Sequence, residues 1–142
     1  MSEAESRYLV FDVGGERYAL ILQDVEEIME LPEIHPLPRA PSYYSGVMNC
    51  HSMPVPILDL AVFLKKNPSL PGEKILVLNR KIANLALRVH AVRCIAAGVV
   101  TEETNIGNVD RMEKTLLIAE GETKLLSSES LLQRLEEEAF SR

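Results

Sequence analysis

No tryptophan occurs in these 142 residues, which carry only four tyrosines and three phenylalanines. With so few aromatics the core must be aliphatic, and stacking on bases or sugar rings is excluded as the main activity. Cysteine is scarce too. Cys50 and Cys94 are the only two and neither sits in a C-x-x-C pair, so a disulfide scaffold is ruled out and two small buried thiols are expected. Positive charge is outnumbered, with 15 Lys and Arg against 21 Asp and Glu, for a net −6. That sign repels phosphate backbones and anionic lipid, so neither nucleic acid nor membrane insertion is expected. No apolar run approaches the ~20 residues of a spanning helix, and polar Met1 to Arg7 lack the basic-then-apolar order of a leader. The expected compartment is the cytoplasm.

What is present is a globular composition, 46% hydrophobic and 25% charged, at a length that suits one ordinary domain or two very small ones. Runs rich in Val, Ile and Leu alternate with turn chemistry. Tyr8 to Val13 and Arg17 to Leu22 flank Gly14-Gly15 and predict a hairpin. Asp24 to Leu31 predicts a short helix, with Val25, Ile28 and Met29 on one face and Asp24 as its N-cap. Pro32 ends it, and four prolines between Pro32 and Pro41 stiffen the next stretch into an extended track that Ile34 and Leu37 should anchor. Gly46 to Cys50 and Met53 to Leu58 predict a second strand pair. Pro54 and Pro56 share a parity that turns their missing N–H groups away from a ladder partner. Asp59 caps a short amphipathic piece over Leu60 to Leu64, and Asn67 to Gly72 reads as a loop.

The pattern then restarts. An offset of 67 positions places Leu9-Val10 on Leu76-Val77, Ala19-Leu20 on Ala86-Leu87, Val25 on Val92 and Ile28 on Ile95. One such duplication suggests two similar small units in one body, with chance similarity of β-rich segments as the alternative. Residues 7–142 are therefore read as a single domain with halves of roughly 7–66 and 73–142, strand exchange between them being left open. Thr101 to Gly107 is a polar loop. Val109 to Glu122 carries another strand pair, turning either at Glu113-Lys114 or around Gly121. Ser127 to Ser130 precedes Leu131, Leu132, Leu135 and Phe140, a closing amphipathic helix capped by serine.

The chemistry-bearing patterns are missing. Gly14-Gly15 has no following Gly-Lys-Ser/Thr, no G-x-S-x-G occurs, and the paired acids sit where carboxylates are solvated. Cys50, His51, His90 and Cys94 are the residues with metal-ligand chemistry, in segments that the duplication could bring together. Alternation along a strand, however, directs Cys50 and His51 to opposite faces, and His90-x-x-x-Cys94 would need a helix. No metal, cofactor or catalytic residue is assigned. A binding module using barrel edges or an inter-barrel groove is the expectation.

Tyr8-Leu-Val-Phe, Gly14-Gly-Glu-Arg-Tyr-Ala-Leu20 and Asp24-Val-Glu-Glu-Ile28, followed by Pro36-Leu-Pro, Gly46-Val-Met-Asn49 and Val55-Pro-Ile-Leu-Asp-Leu60, resemble the CheW-like domain of bacterial chemotaxis coupling proteins. Ile75-Leu-Val-Leu78, Leu85-Ala-Leu-Arg-Val89 and Val92 continue the resemblance, which covers about two-thirds of the chain strongly. It implies an all-β fold of two SH3-like five-stranded barrels with short helices and a C-terminal helix. It also implies scaffolding without catalysis, in which the domain couples the cytoplasmic tip of methyl-accepting chemoreceptors to the regulatory domain of a CheA-type histidine kinase. Partner contacts would fall on Val25, Gly46, Asn49 and His51, although Val25 and Gly46 have equally good structural readings. The chain departs from the family where Asn49-Cys50-His51-Ser52 replaces the usual asparagine, aliphatic residue, arginine and glycine. An imidazole lacks arginine's permanent charge and its fork for carboxylates, and losing glycine bears on the loop's path. His90 replaces a usual aspartate, Ser127-Ser128 a usual acidic ending, and the stretch from Gly98 to Val109 is short for the family. A divergent coupling protein fits these departures, with a CheW-like module of a different partner as the alternative and a small Cys/His metal-dependent protein as a third reading.

Overall fold

The computed structural model describes residues 6–66, 72–101 and 113–140. The loops expected at 67–71 and 102–107, the strand start expected at Val109 and the side chain of Phe140 lie outside the described residues. The first hairpin is where Gly14-Gly15 places it, with β1 (Arg7–Val13) antiparallel to β2 (Glu16–Ile21).

The next segment corrects the expected helix. A single 3-10 turn over Leu22–Asp24 leads into strand β3 (Val25–Glu30). Val25, Glu27 and Met29 are half-buried while Glu26, Ile28 and Glu30 are exposed, which is a period of two. So short a segment cannot hold a helix on propensity alone, and the ladder it gains from β6 (Lys74–Leu78) decides its state. Asp24 caps no helix there. Its Oδ2 instead accepts a hydrogen bond from Ser128 Oγ at 2.6 Å.

Strands β4 (Tyr44–Cys50) and β5 (Met53–Asp59) form the second hairpin, and Asp59 then caps α1 (Leu60–Phe63) by accepting from the Val62 N–H at 3.4 Å. Pro54 and Pro56 pair with Asn49 and Val47 of β4, whereas β7 (Ala86–Val89) joins the other flank only from Ile57 onward. The Pro54 carbonyl on that open flank accepts from Asn84 Nδ2 at 3.0 Å, so the prolines disturb no ladder bond. The chain continues through β8 (Ala91–Ala97), β9 (Val99–Thr101), β10 (Glu113–Ile118) and β11 (Gly121–Leu126) to α2 (Ser128–Phe140). The last hairpin turns at Ala119-Glu120, which selects the later of the two expected turns and leaves Glu113-Lys114 inside β10. The serine cap is present, with Ser127 Oγ accepting from the Ser130 N–H at 3.2 Å.

One sheet has the order β8-β1-β2-β11-β10-β9 and the other β3-β6-β7-β5-β4. Interchanging β1 with β6, β2 with β7, β3 with β8, β4 with β10 and β5 with β11 converts one order into the other. Each sheet thus takes its central hairpin from one half of the sequence and its remaining strands from the other half. The first sheet carries a sixth, three-residue strand beyond the expected five. This β9 continues β8 through Gly98, so one stretch of chain supplies both edges. A Cβ at Gly98 would lie 2.9 Å from Leu116 Cδ1 and from Ile118 Cγ2, an approach only glycine permits without a local shift. Matching bulges mark the two crossover strands. Glu26 of β3 and Arg93 of β8, 67 positions apart, are each the extra residue.

Burial follows the same division. A central core between the sheets packs Phe11, Tyr18 and Leu20 of one against Leu58, Leu76 and Leu87 of the other, with Leu131 of α2 beneath. Each fully buried aliphatic or aromatic side chain here contributes about 1.5–3 kcal/mol relative to exposure. Each sheet also encloses its own interior. Tyr8, Val10, Leu116 and Ile118, with Cys94 beside them, fill the six-stranded one. Met48, Cys50, Ile57 and Ile75, with Met29 and Ile34, fill the five-stranded one. Ile34 thereby anchors the proline track, while Leu37 remains exposed. Among the described residues no helix is long and apolar enough to cross a membrane.

Candidate functional site

The β4–β5 turn consists of His51 and Ser52, whose φ angles are +51° and +67°. Both central residues of this two-residue hairpin are left-handed, the geometry whose twist suits antiparallel strands. A turn of that hand is therefore formed even though the family's glycine is absent. The turn also removes the argument that separated Cys50 from His51. Strand alternation ends at Cys50, the last residue of β4, and His51 follows the turn instead. Its Nε2 lies 2.9 Å from Oε1 of Glu27 on β3. Donor atoms of Glu27, Cys50 and His51 all lie within 4.8 Å of one another. Cys50 is buried, and that burial, reinforced by the Glu27 carboxylate, pushes its thiol pKa up and favours the protonated form.

Glu27 was not among the expected site residues. Its one sequence signal is that, read as a strand, Val25-Glu-Glu-Ile-Met29 puts Glu27 on the inward parity with Val25 and Met29. The four expected contact positions separate into two kinds. Asn49 and His51 are exposed, at the end of β4 and in the turn that follows. Val25 is half-buried where the chain crosses between sheets, packed against the central core and paired with Leu78. Gly46 is buried at φ +147°, and a Cβ there would meet the His35 carbonyl oxygen at 2.3 Å and Ile34 Cγ2 at 2.6 Å. The space is closed because the proline track lies along β4, His35 and Val47 exchanging backbone hydrogen bonds of 2.8 Å in both directions.

His90 and Cys94 do not join Cys50 and His51. The His90 N–H donates to the Asp12 carbonyl at 2.9 Å, and Cys94 lies on β8, half-buried beside the interior of the other sheet. Only Cys50 of the two expected buried thiols is fully buried. Ile28 and Ile95, equivalent under the 67-residue offset, are both exposed. An open groove of about 510 Å³ is lined by Ile21 and Leu125, the loop residue Ile82 and Leu132 of α2, together with Asp24 and Lys114. Ser127, Ser128 and Glu129 line it as well, so its wall is mixed polar and apolar.

Two β-sheets with exchanged strands, a closing helix and a tight polar turn between β4 and β5 define the class of fold. The chain belongs to the CheW-like domain family, whose model matches residues 7–134 and so takes in both sheets. Among curated proteins it is similar to a chemotaxis protein CheW of Treponema pallidum, 30% identical over 42% of this chain and 35% of that one. It is also similar to protein FrzA of Myxococcus xanthus, 33% identical over 49% of this chain and 44% of that one. These matches span less than half the length of either relative. The scaffolding protein TtCheW of Thermoanaerobacter tengcongensis, a crystal structure, superposes with a TM-score of 0.75 over 87% of this chain and 90% of that one. At 16% identity that likeness shows the shared fold.

Proposed function

We propose that the chain is a non-catalytic coupling adaptor of a bacterial chemosensory system. In this reading it holds the cytoplasmic tip of methyl-accepting chemoreceptors and the regulatory domain of a CheA-type histidine kinase in one complex. The observation that carries the reading is the family match across residues 7–134. Asn49 and His51 are the direct contacts, being exposed on one hairpin end, while Val25 and Gly46 act through the backbone path that presents them. The work is done in the cytoplasm, at receptor arrays, through non-covalent surfaces alone. The left-handed turn at His51-Ser52 favours docking that is retuned rather than lost, because the side chain changes while a tight hairpin end is still presented.

A pull-down from the protein's own cell lysate, with captured proteins identified by mass spectrometry, tests the reading. Recovery of a chemoreceptor and a histidine kinase together is the expected result. An Asn49→Lys, His51→Glu double variant should then lose receptor before kinase. Recovery of neither, with an unrelated partner in their place, would overturn the adaptor role.

A further inference from the structure

We propose that Glu27, Cys50 and His51 form a binding site for a borderline-soft divalent cation of the zinc class. The three residues come from two elements, the inward face of β3 and the β4–β5 hairpin end, and present one carboxylate oxygen, one sulfur and one imidazole nitrogen. Their donor atoms lie within 4.8 Å of one another. Zinc bonds of about 2.0–2.3 Å require donors roughly 3.3–3.8 Å apart in a tetrahedron. His51 Nε2 and Glu27 Oε1 are 2.9 Å apart and Cys50 Sγ lies within 4.8 Å of both, and the largely exposed His51 ring can turn to open the space an ion needs. A thiolate with an imidazole selects against calcium and magnesium, which take oxygen ligands, and suits zinc or its spectroscopic substitute cobalt. On binding, the Cys50 thiol proton leaves to solvent and the sulfur's electron pair goes to the ion. Three protein ligands leave a fourth position to water or to a side chain of a docked protein.

The ion would tie β3 to the β4–β5 hairpin, the two edges of the five-stranded sheet, at the point where Glu27 and His51 already meet. The other sheet supplies an internal control. Cys94 occupies the position equivalent to Glu27 and packs on the cluster of Tyr8, Val10 and Ala19, and among the described residues it joins no comparable set of ligands.

The test is titration of the purified, reduced full chain with Zn²⁺, followed by Co²⁺ absorption spectroscopy. One ion per chain and a thiolate-to-cobalt charge-transfer band are expected. His51→Ala and Glu27→Gln, both at partly or largely exposed side chains and checked for native circular dichroism, should each weaken Zn²⁺ at least tenfold. Cys50→Ser should abolish the cobalt band, and Cys94→Ser should leave it intact. No saturable one-to-one binding, or affinities unchanged in both His51→Ala and Glu27→Gln, would overturn the site, the latter showing adventitious metal only.

Discussion

The two sheets share a strand order and a bulge but fill the position after that bulge differently. In the six-stranded sheet it holds Cys94, packed on an apolar interior. In the five-stranded sheet the same inward position holds Glu27. A carboxylate turned inward is costly unless water or a partner reaches it. Here it stands beside the hairpin end, where His51 meets it and about 38% of its side chain remains exposed. A duplicated frame can thus be kept on one side as packing and opened on the other as a polar mouth, by changing one residue and the turn that faces it.

The largest effects should come from closing the glycine contacts that hold each sheet's edges. Gly46→Ala forces a Cβ onto a backbone oxygen and into a backbone conformation at φ +147°, neither of which can relax cheaply. Strain of about 1–3 kcal/mol adds to a similar overpacking cost, so a loss of roughly 3 kcal/mol or more is expected in urea unfolding. Gly98→Ala in the other sheet meets Leu116 Cδ1 and Ile118 Cγ2 at 2.9 Å and the Leu117 carbonyl oxygen at 3.0 Å, a looser approach without a left-handed φ, and should cost about 1–2 kcal/mol. Equal losses would show that the proline track gives way to the 2.3 Å approach as easily as β10 does to the looser one.

A smaller test uses the two hairpin turns. Ser52 sits at φ +67°, where a Cβ is disfavoured by about 1 kcal/mol, so Ser52→Gly should stabilise the protein by about 0.5–1 kcal/mol. Ala119 in the corresponding β10–β11 turn has no such φ, and Ala119→Gly should instead destabilise by a comparable amount through the freer unfolded chain. Thermal unfolding of the two variants should therefore move in opposite directions.

These contrasts show which features were legible from local chemistry. The hairpin at Gly14-Gly15, the cap at Asp59, the tolerated parity of Pro54 and Pro56 and the serine cap of α2 each depend on a few adjacent residues. The 67-residue offset likewise marked Ile28 and Ile95, Val25 and Val92 as equivalent before their exposure and packing could be compared. Val25 to Glu30 was not legible, because Val25, Ile28 and Met29 fit a helical face while Val25, Glu27 and Met29 fit a strand. Only the ladder with β6, far along the chain, decides between them. The site failed for the same kind of reason. Asn49 and His51 lie within one motif, but the approach of Glu27 depends on a crossover strand, and on a turn conformation that His51-Ser52 does not advertise.

The smallest expected effect separates the two parallel joins that complete the sheets. β2 meets β11 at Tyr18–Lys124 and Ala19–Leu125, and beside this join Glu16 pairs with Lys124 and, at 3.3 Å, with Lys66. At the join of β7 with β5 the residue equivalent to Glu16 is Ala83, which packs against the central core. The Lys124 hydrogen bond, opposed by partial burial and aided by Lys66, holds the Glu16 carboxyl below its usual range. A folded-state pKa lowered in this way contributes stability above the unfolded value and loses it as pH falls through the depressed one. Because the group is over a third exposed, the contribution is that of a screened surface pair, at most about 1 kcal/mol. Glu16→Gln should flatten that acid-side fall without altering stability at the acid limit. Amide exchange in wild-type protein should speed up near Lys124 before it does near Leu58 as pH is lowered, after correction for intrinsic exchange. Simultaneous loosening of both joins would place the acid sensitivity in the shared central core instead.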